Sequence, residues 1–523
     1  MKKRDKAFYL KSVLLLILII SFQTNIFAAG SPLWGGLEAG QYDVGFKTIE
    51  KYDYSRTFRS RYDYYGEPIP GENARPIQIC IWYPAQKSDE TSYMVLGEYA
   101  FPMPEYPDFF QVITATQQRE LMRLTGLFNN NRGMMLDASN VEVGAIRDAV
   151  PADGQFPLIV YFPDLMSSIS DNFVLCEYLA SNGFVVMTTH QIGTNGLNPG
   201  VNQVDFETIV RDKEFALANL GDLNFINTDK IGSFGVGGGG LASIILQMRN
   251  YNIEAVASLA GWNLSKEQSQ FVFENPHFVI NRMAKPMMQI YYEDAELFDL
   301  GLIDSIKYSD RFILKLDAAP TGGFTSYPAI QSFMDTLNVT KTVSRSTYDL
   351  TGKYILKFFG PLLANKPGGL VLLEELSASD DLLSFKKGMD LPPTSDQFVS
   401  IIRSQGGVKA VELYNKFKKS DPGSITFPEA TVNILGYQAM QRGQNGDAIA
   451  LFKLNAETFP NSANVWDSYS DGLQAVGDNA SAINCYKKVI EVLQLDSLID
   501  GGLAETLRTN AEAGIERLTN ESN

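Results

Sequence analysis

The stretch with the most chemical content runs from Asp229 to Ile245: an apolar strand, a bend made almost wholly of glycine, and the start of a helix. Its frame, Gly235-Val236-Gly237-Gly238-Gly239, is that of Gly-x-Ser-x-Gly, in which a serine on a tight strand-to-helix turn attacks an ester or amide carbonyl. Here the middle residue is glycine. Without a hydroxyl at 237, no acyl-enzyme forms on that residue. Glycine also relieves strain at such a bend, where a residue with a β-carbon costs about 1 to 3 kcal/mol.

The same run satisfies Gly-x-Gly-x-x-Gly through Gly235, Gly237 and Gly240, a spacing by which backbone amides cradle a pyrophosphate. A dinucleotide unit also wants an acidic residue at the end of the next strand, for the ribose. That strand, Ala255 to Leu259, ends in Ala260-Gly261, and Glu254 stands at its opposite end. The glycines therefore read as turn and close-packing residues, and no cofactor is expected.

Proton acceptors are scarce, because the chain of 523 residues has only two histidines. His190 follows an apolar run ending near Thr188 and could reach the carboxyl edge of a sheet; His277 sits in the connecting segment Asn275-Pro276-His277-Phe278. A triad needs a base within hydrogen-bond reach of its nucleophile, so an alternative active site would pair Ser167 or Ser168 with His190. Ser233 lies inside the strand leading to the bend. Glu293, Asp294, Glu296 and Asp299 could surround a hard cation, but in so acidic a chain they read as a solvated loop, and no metal site is expected.

The elements that must position these residues alternate. Leu158 to Phe162, Phe184 to Thr188, Ile231 to Phe234, Ala255 to Leu259, Pro286 to Tyr292 and Phe312 to Leu316 read as strands, with helices at 172–182, 206–220, 241–249 and 348–363. Continuous apolar strands separated by helices predict an α/β domain with a doubly wound, mostly parallel sheet. Two β-prone aromatic runs, Gly40 to Phe46 and Arg75 to Pro84, precede it. The segment 91–140, whose best helix is 117–127, is expected to cap one end of the sheet.

Composition bounds the rest. At 45% hydrophobic the chain can fill two cores, and a net charge of −16 opposes nucleic-acid binding. Cys80, Cys176 and Cys485 are too few and too scattered for a disulfide framework. Residues 1–29 read as a secretory signal: Lys2, Lys3, Arg4, Lys6 and Lys11, the apolar run Val13 to Ile20, then Ala28-Ala29. That run is short for a bilayer, so the expectation is cleavage, a periplasmic or secreted product, and no stable membrane insertion afterwards. The α/β domain is then 30–365, a linker with one short helix 366–395, and an all-α domain 396–523.

The last part repeats. Leu435-Gly436, Gly443, Ala448 and Phe452 recur at an offset of about 34 as Tyr469-Ser470, Gly477, Ala482 and Tyr486. This pattern resembles a tetratricopeptide array, with a degenerate unit before it at Val408 to Phe417 and a terminal cap at Gly502 to Leu518. Such an array braces a neighbouring domain or offers a groove to a protein or peptide partner.

Residues 35–365 resemble secreted α/β-hydrolases of the dienelactone hydrolase and platelet-activating factor acetylhydrolase type. The resemblance rests on Arg75 to Pro84, Phe156-Pro-Leu-Ile-Val-Tyr161, Tyr178-Leu-Ala-Ser-Asn-Gly-Phe-Val-Val186, the glycine frame and Gly261-Trp262. It implies an α/β-hydrolase fold, carboxylic ester hydrolase ancestry and a serine–acid–histidine triad. Carried over one residue at a time, the nucleophile falls on Gly237, the acid on Ala260, and the base on Thr321, three residues before Phe324. The His-Gly that shapes the oxyanion region falls on Pro163-Asp164. The expected protein is a catalytically silent, exported hydrolase-fold chain that binds or scaffolds, with a cleft still shaped for a small acyl ligand. The alternative is an active serine ester or lipid hydrolase built on Ser167 or Ser168 with His190.

Overall fold

The computed structural model describes residues 31–88, 92–100, 109–194, 196–292, 299–316, 323–334, 339–363, 368–494 and 500–521. The signal-like segment 1–29 therefore lies outside the described residues. The chain divides into two units between Met389 and Asp390.

Strands of the first unit are β1 (Asp43–Thr57), β2 (Ala74–Ala85), β3 (Ala145–Arg147), β4 (Phe156–Phe162), β5 (Val185–Thr189), β6 (Ile226–Val236), β7 (Ile253–Leu259), β8 (Met287–Tyr292), β9 (Arg311–Leu316) and β10 (Leu383–Lys386). They form one sheet in the order β10-β9-β8-β7-β6-β4-β5-β2-β1-β3. The strands from β4 to β9 run parallel, while β2 is antiparallel to both β1 and β5. The sheet is thus mostly parallel, with an antiparallel arrangement around β2.

Alternation along the strands divides the apolar side chains between two cores. Ile159 and Tyr161 of β4 face one core, with helices α2 (Phe173–Ser181) and α5 (Val339–Leu363). Leu158, Val160 and Phe162 face the other, with α3 (Gln203–Ala218) and α4 (Gly238–Arg249). Helix α4 is buried on every side from Gly238 to Met248, which explains why it carries no polar face. Helix α1 (Phe110–Leu127) lies in the stretch expected to form the cap.

The segment 366–395 departs from a linker. It holds the expected helix, α6 (Gly369–Ser379), but then β10 pairs antiparallel with β9 and extends the sheet. Four residues, Leu383-Ser384-Phe385-Lys386, are too short to announce a strand; their pairing with Arg311 to Leu314 makes one.

The second unit is helical: α7 (Ser395–Gln405), α8 (Gly407–Ser420), α9 (Glu429–Gln441), α10 (Asn445–Thr458), α11 (Ala463–Gln474), α12 (Asn479–Leu493) and α13 (Gly501–Glu521). Ala448 and Ala482 are fully buried, as small residues at helix contacts should be. Phe452 is buried against two glycines: a β-carbon on Gly436 would come within 2.5 Å of its ring, and one on Gly472 within 2.7 Å. Tyr486 meets Gly514 in the same way. Among the described residues no helix is long and apolar enough to cross a membrane.

Candidate active-site region

Strands β4 and β6 are neighbours, yet the chain leaves β4 towards β5 on one side and leaves β6 towards β7 on the other. Connections that diverge from adjacent parallel strands open a crevice at their carboxyl ends. The two loops that flank it begin at Pro163 and at Gly237.

Gly237 has φ 55° and ψ −122°, a conformation open to glycine and costly for other residues. Backbone bonds pin it to the start of α4 and to the segment that ends β7. Its N–H donates to the Leu259 carbonyl at 3.1 Å, and its own carbonyl accepts from Gly240 and Trp262, each at 3.1 Å. The bend is thus held by the strand–helix crossover and not by anything a side chain at 237 would contribute.

Across the crevice, Asp164 reaches into the bend. Its Oδ1 accepts the N–H of Gly238 and the N–H of Leu165, each at 2.7 Å. In a Gly-x-Ser-x-Gly turn, the amide after the nucleophile and one from the facing loop are the pair that stabilises a tetrahedral oxyanion. Here both are engaged by a carboxylate of the chain itself. A β-carbon at 237 would lie 2.3 Å from that same Oδ1, so the carboxyl group fills the volume a nucleophile would occupy.

Ala260, where the sequence resemblance would put the acid, has φ 44° just beyond β7, with its N–H on the Ile290 carbonyl at 2.8 Å. Beside it runs a buried uncharged chain. Ser258 Oγ donates to Asn263 Oδ1 and Asn263 Nδ2 to Gln289 Oε1, both at 2.7 Å, and Gln289 Nε2 returns to the Ser258 carbonyl at 3.0 Å. No carboxylate takes part in that chain. Thr321, where the sequence resemblance would put the base, lies outside the described residues, as do Glu293, Asp294 and Glu296. Asp299 is described and accepts the Gly301 N–H at 2.7 Å. Among the described residues no group of three or more His, Cys, Asp and Glu side chains is placed to hold a metal ion.

Ser168 and His190 of the alternative site are separately engaged, while the buried Ser167 hydroxyl bonds to neither. Ser168 Oγ donates to Glu120 Oε2 at 2.8 Å and lies 2.5 Å from Ser170 Oγ; Ser167 is fully buried. His190 Nε2 lies 2.8 Å from Gln78 Oε1. Burial, with the positive charges of Arg119 and Lys213 nearby, pushes this imidazole down to about 3, so it is held neutral. His277 is exposed, and Ser233 is fully buried within β6.

Three residues of α1 fasten it to the loops at the carboxyl edge. Arg119 donates to the carbonyls of Gln191 at 2.8 Å and Leu197 at 3.0 Å. Glu120 accepts from Ser168 and from the Tyr327 hydroxyl at 3.1 Å, and Arg123 pairs with Asp171 at 2.6 Å. Asp171 is fully buried, and desolvation raises its carboxyl to about 6 against the pull of Arg123. None of Glu120, Arg123, Asn263 or Gln289 stands out in the sequence, because each acquires its partner only through folding.

No family model matches the chain, and no curated protein matches it. Among solved structures the chain is similar to a ferulic acid esterase from Streptomyces cinnamoneus, at 18% identity over 67% of this chain and 98% of that one, with a TM-score of 0.43.

Proposed function

We propose that the chain is an exported α/β-hydrolase-fold protein that binds or scaffolds and does not hydrolyse, with its helical unit acting as a tetratricopeptide-type interaction module. One observation carries this reading: where a nucleophile would project from the bend, residue 237 has no side chain and the Asp164 carboxylate stands in its place. The engagement of Ser168 with Glu120 and of His190 with Gln78, which keeps that serine and that imidazole apart, supports it further. The basic and apolar character of residues 1–29 supports export to a periplasm or beyond. Phe452 packed between Gly436 and Gly472 supports a repeat of close-packed helix pairs, whose surface suits a protein or peptide partner. A small acyl ligand is part of the same proposal, since loss of a nucleophile does not by itself remove a binding cleft.

The test is to incubate the purified chain with short-chain p-nitrophenyl esters, phospholipid esters and lactones, and separately with a fluorophosphonate probe. The expected outcome is no turnover above the protein-free rate and no serine adduct. Turnover abolished by Ser167→Ala or Ser168→Ala would establish the rearranged active hydrolase instead.

A further inference from the structure

We propose that the paired amides of Leu165 and Gly238 form a carboxylate-binding site that the chain keeps filled with its own Asp164, and that residue 237 is glycine because the seated carboxylate takes the room a side chain would need. This deepens the reading of a silent bend and rests on it.

The site already holds a carboxylate with good geometry. Both N–H groups converge on a single oxygen at 2.7 Å, the length of charge-assisted bonds, which are about twice as strong as neutral ones. One donor opens α4, a helix of 12 residues, so the carboxylate also meets the positive end of the helix dipole. Leu165 comes from the facing loop, so the contact ties together the two loops that border the crevice.

Occupation by Asp164 and a side chain at 237 exclude one another. A β-carbon there would stand 2.3 Å from Oδ1, 2.5 Å from Cγ and 2.7 Å from Oδ2, nearer than any of those atoms tolerates. Strain relief alone would explain glycine at φ 55°; the overlap adds a second and independent requirement. Asp164 is only partly buried and Met166 beside it is exposed, so the seat lies within reach of solvent once Asp164 is removed from it. Asp171 is close enough to interact electrostatically with Asp164, so a second anion is disfavoured while Asp164 is seated. A small monocarboxylate, or the oxygen of an acyl group, enters when Asp164 leaves.

The experiment uses the full chain with formate and acetate as probes and thermal unfolding as readout, against equal chloride. Wild type is expected to show no formate response. Asp164→Gly, which frees both amides, is expected to gain a saturable rise of a few degrees in midpoint. Asp164→Asn keeps an acceptor oxygen on the amides and should stay flat. Gly237→Ala leaves residue 164 intact but evicts its carboxylate, so it should gain the same response and serves if Asp164→Gly does not fold. A formate response no greater in either variant than in wild type overturns the proposal. That result leaves the silent-bend reading intact, whereas a fluorophosphonate adduct overturns that reading whatever formate does.

Discussion

His190 and Gln78 are each other's partners, Nε2 to Oε1 at 2.8 Å, across the antiparallel junction of β5 and β2. The imidazole is committed to a buried amide and held neutral, with its proton affinity pushed down to about 3. Unfolded, the same ring titrates near 6.5. Stability from this group is therefore complete above pH 6.5 and falls as pH drops towards 3, by about 1.4 kcal/mol per pH unit at most. His190→Gln should lose that component, so urea-unfolding free energies of variant and wild type should converge on acidification. Parallel pH profiles would refute it.

Arg123 is the cation that makes the buried Asp171 carboxylate tolerable. Arg123→Met should cost on the order of 3 kcal/mol at neutral pH, because a buried charge is left without its partner. Burial raises Asp171 to about 6 even with Arg123 beside it, and losing Arg123 raises it further, so the variant's deficit should shrink as pH falls towards 6 and level off below it. Adding Asp171→Asn should recover part of the loss at neutral pH. A deficit independent of pH in chemical denaturation would argue against this account.

Gly436→Ala should destabilise the second unit by about 1 to 3 kcal/mol, the usual range for overpacking a filled core. The added carbon would stand 2.5 Å from the Phe452 ring, which is wholly buried and has nowhere to go. Phe452→Leu in the same background should relieve much of the penalty. Circular dichroism of the single and double variants during denaturation measures the coupling.

Arg75→Lys should be costly although the charge is kept. Arg75 spans both Asp212 oxygens, Nε to Oδ1 at 2.7 Å and Nη2 to Oδ2 at 2.6 Å, and also donates to the Ile192 and Gly193 carbonyls, each at 2.9 Å. Lysine cannot reproduce a planar fork, and each lost charge-assisted bond costs about 1.5 to 3 kcal/mol. The expected drop in urea midpoint is larger than for Arg56→Lys, since Arg56 meets Asp212 through one nitrogen only.

The sheet was legible because its strands are long apolar runs: Leu158 to Phe162 and Ala255 to Leu259 lie in strands of the sheet, as read. The edge was not, because β10 is four residues with a polar residue at every second place. The bend could be read as lacking a nucleophile from residue 237 alone. Its occupant could not: Asp164 and Gly238 are 74 residues apart, and an aspartate in a loop carries no mark of the amides it will meet. Arg119, Glu120 and Arg123 could not be picked out for another reason. Charges in a helix read as a solvated face, whereas here folding supplies buried partners for each.

The torsion angles at Gly237 are set by backbone alone, through bonds to Leu259, Trp262 and Gly240, so the turn holds its shape with no side chain at its apex. A survey for related chains keyed to serine would pass over such a turn. One keyed to the direction of two backbone amides, and to whatever acid they grip, would find it.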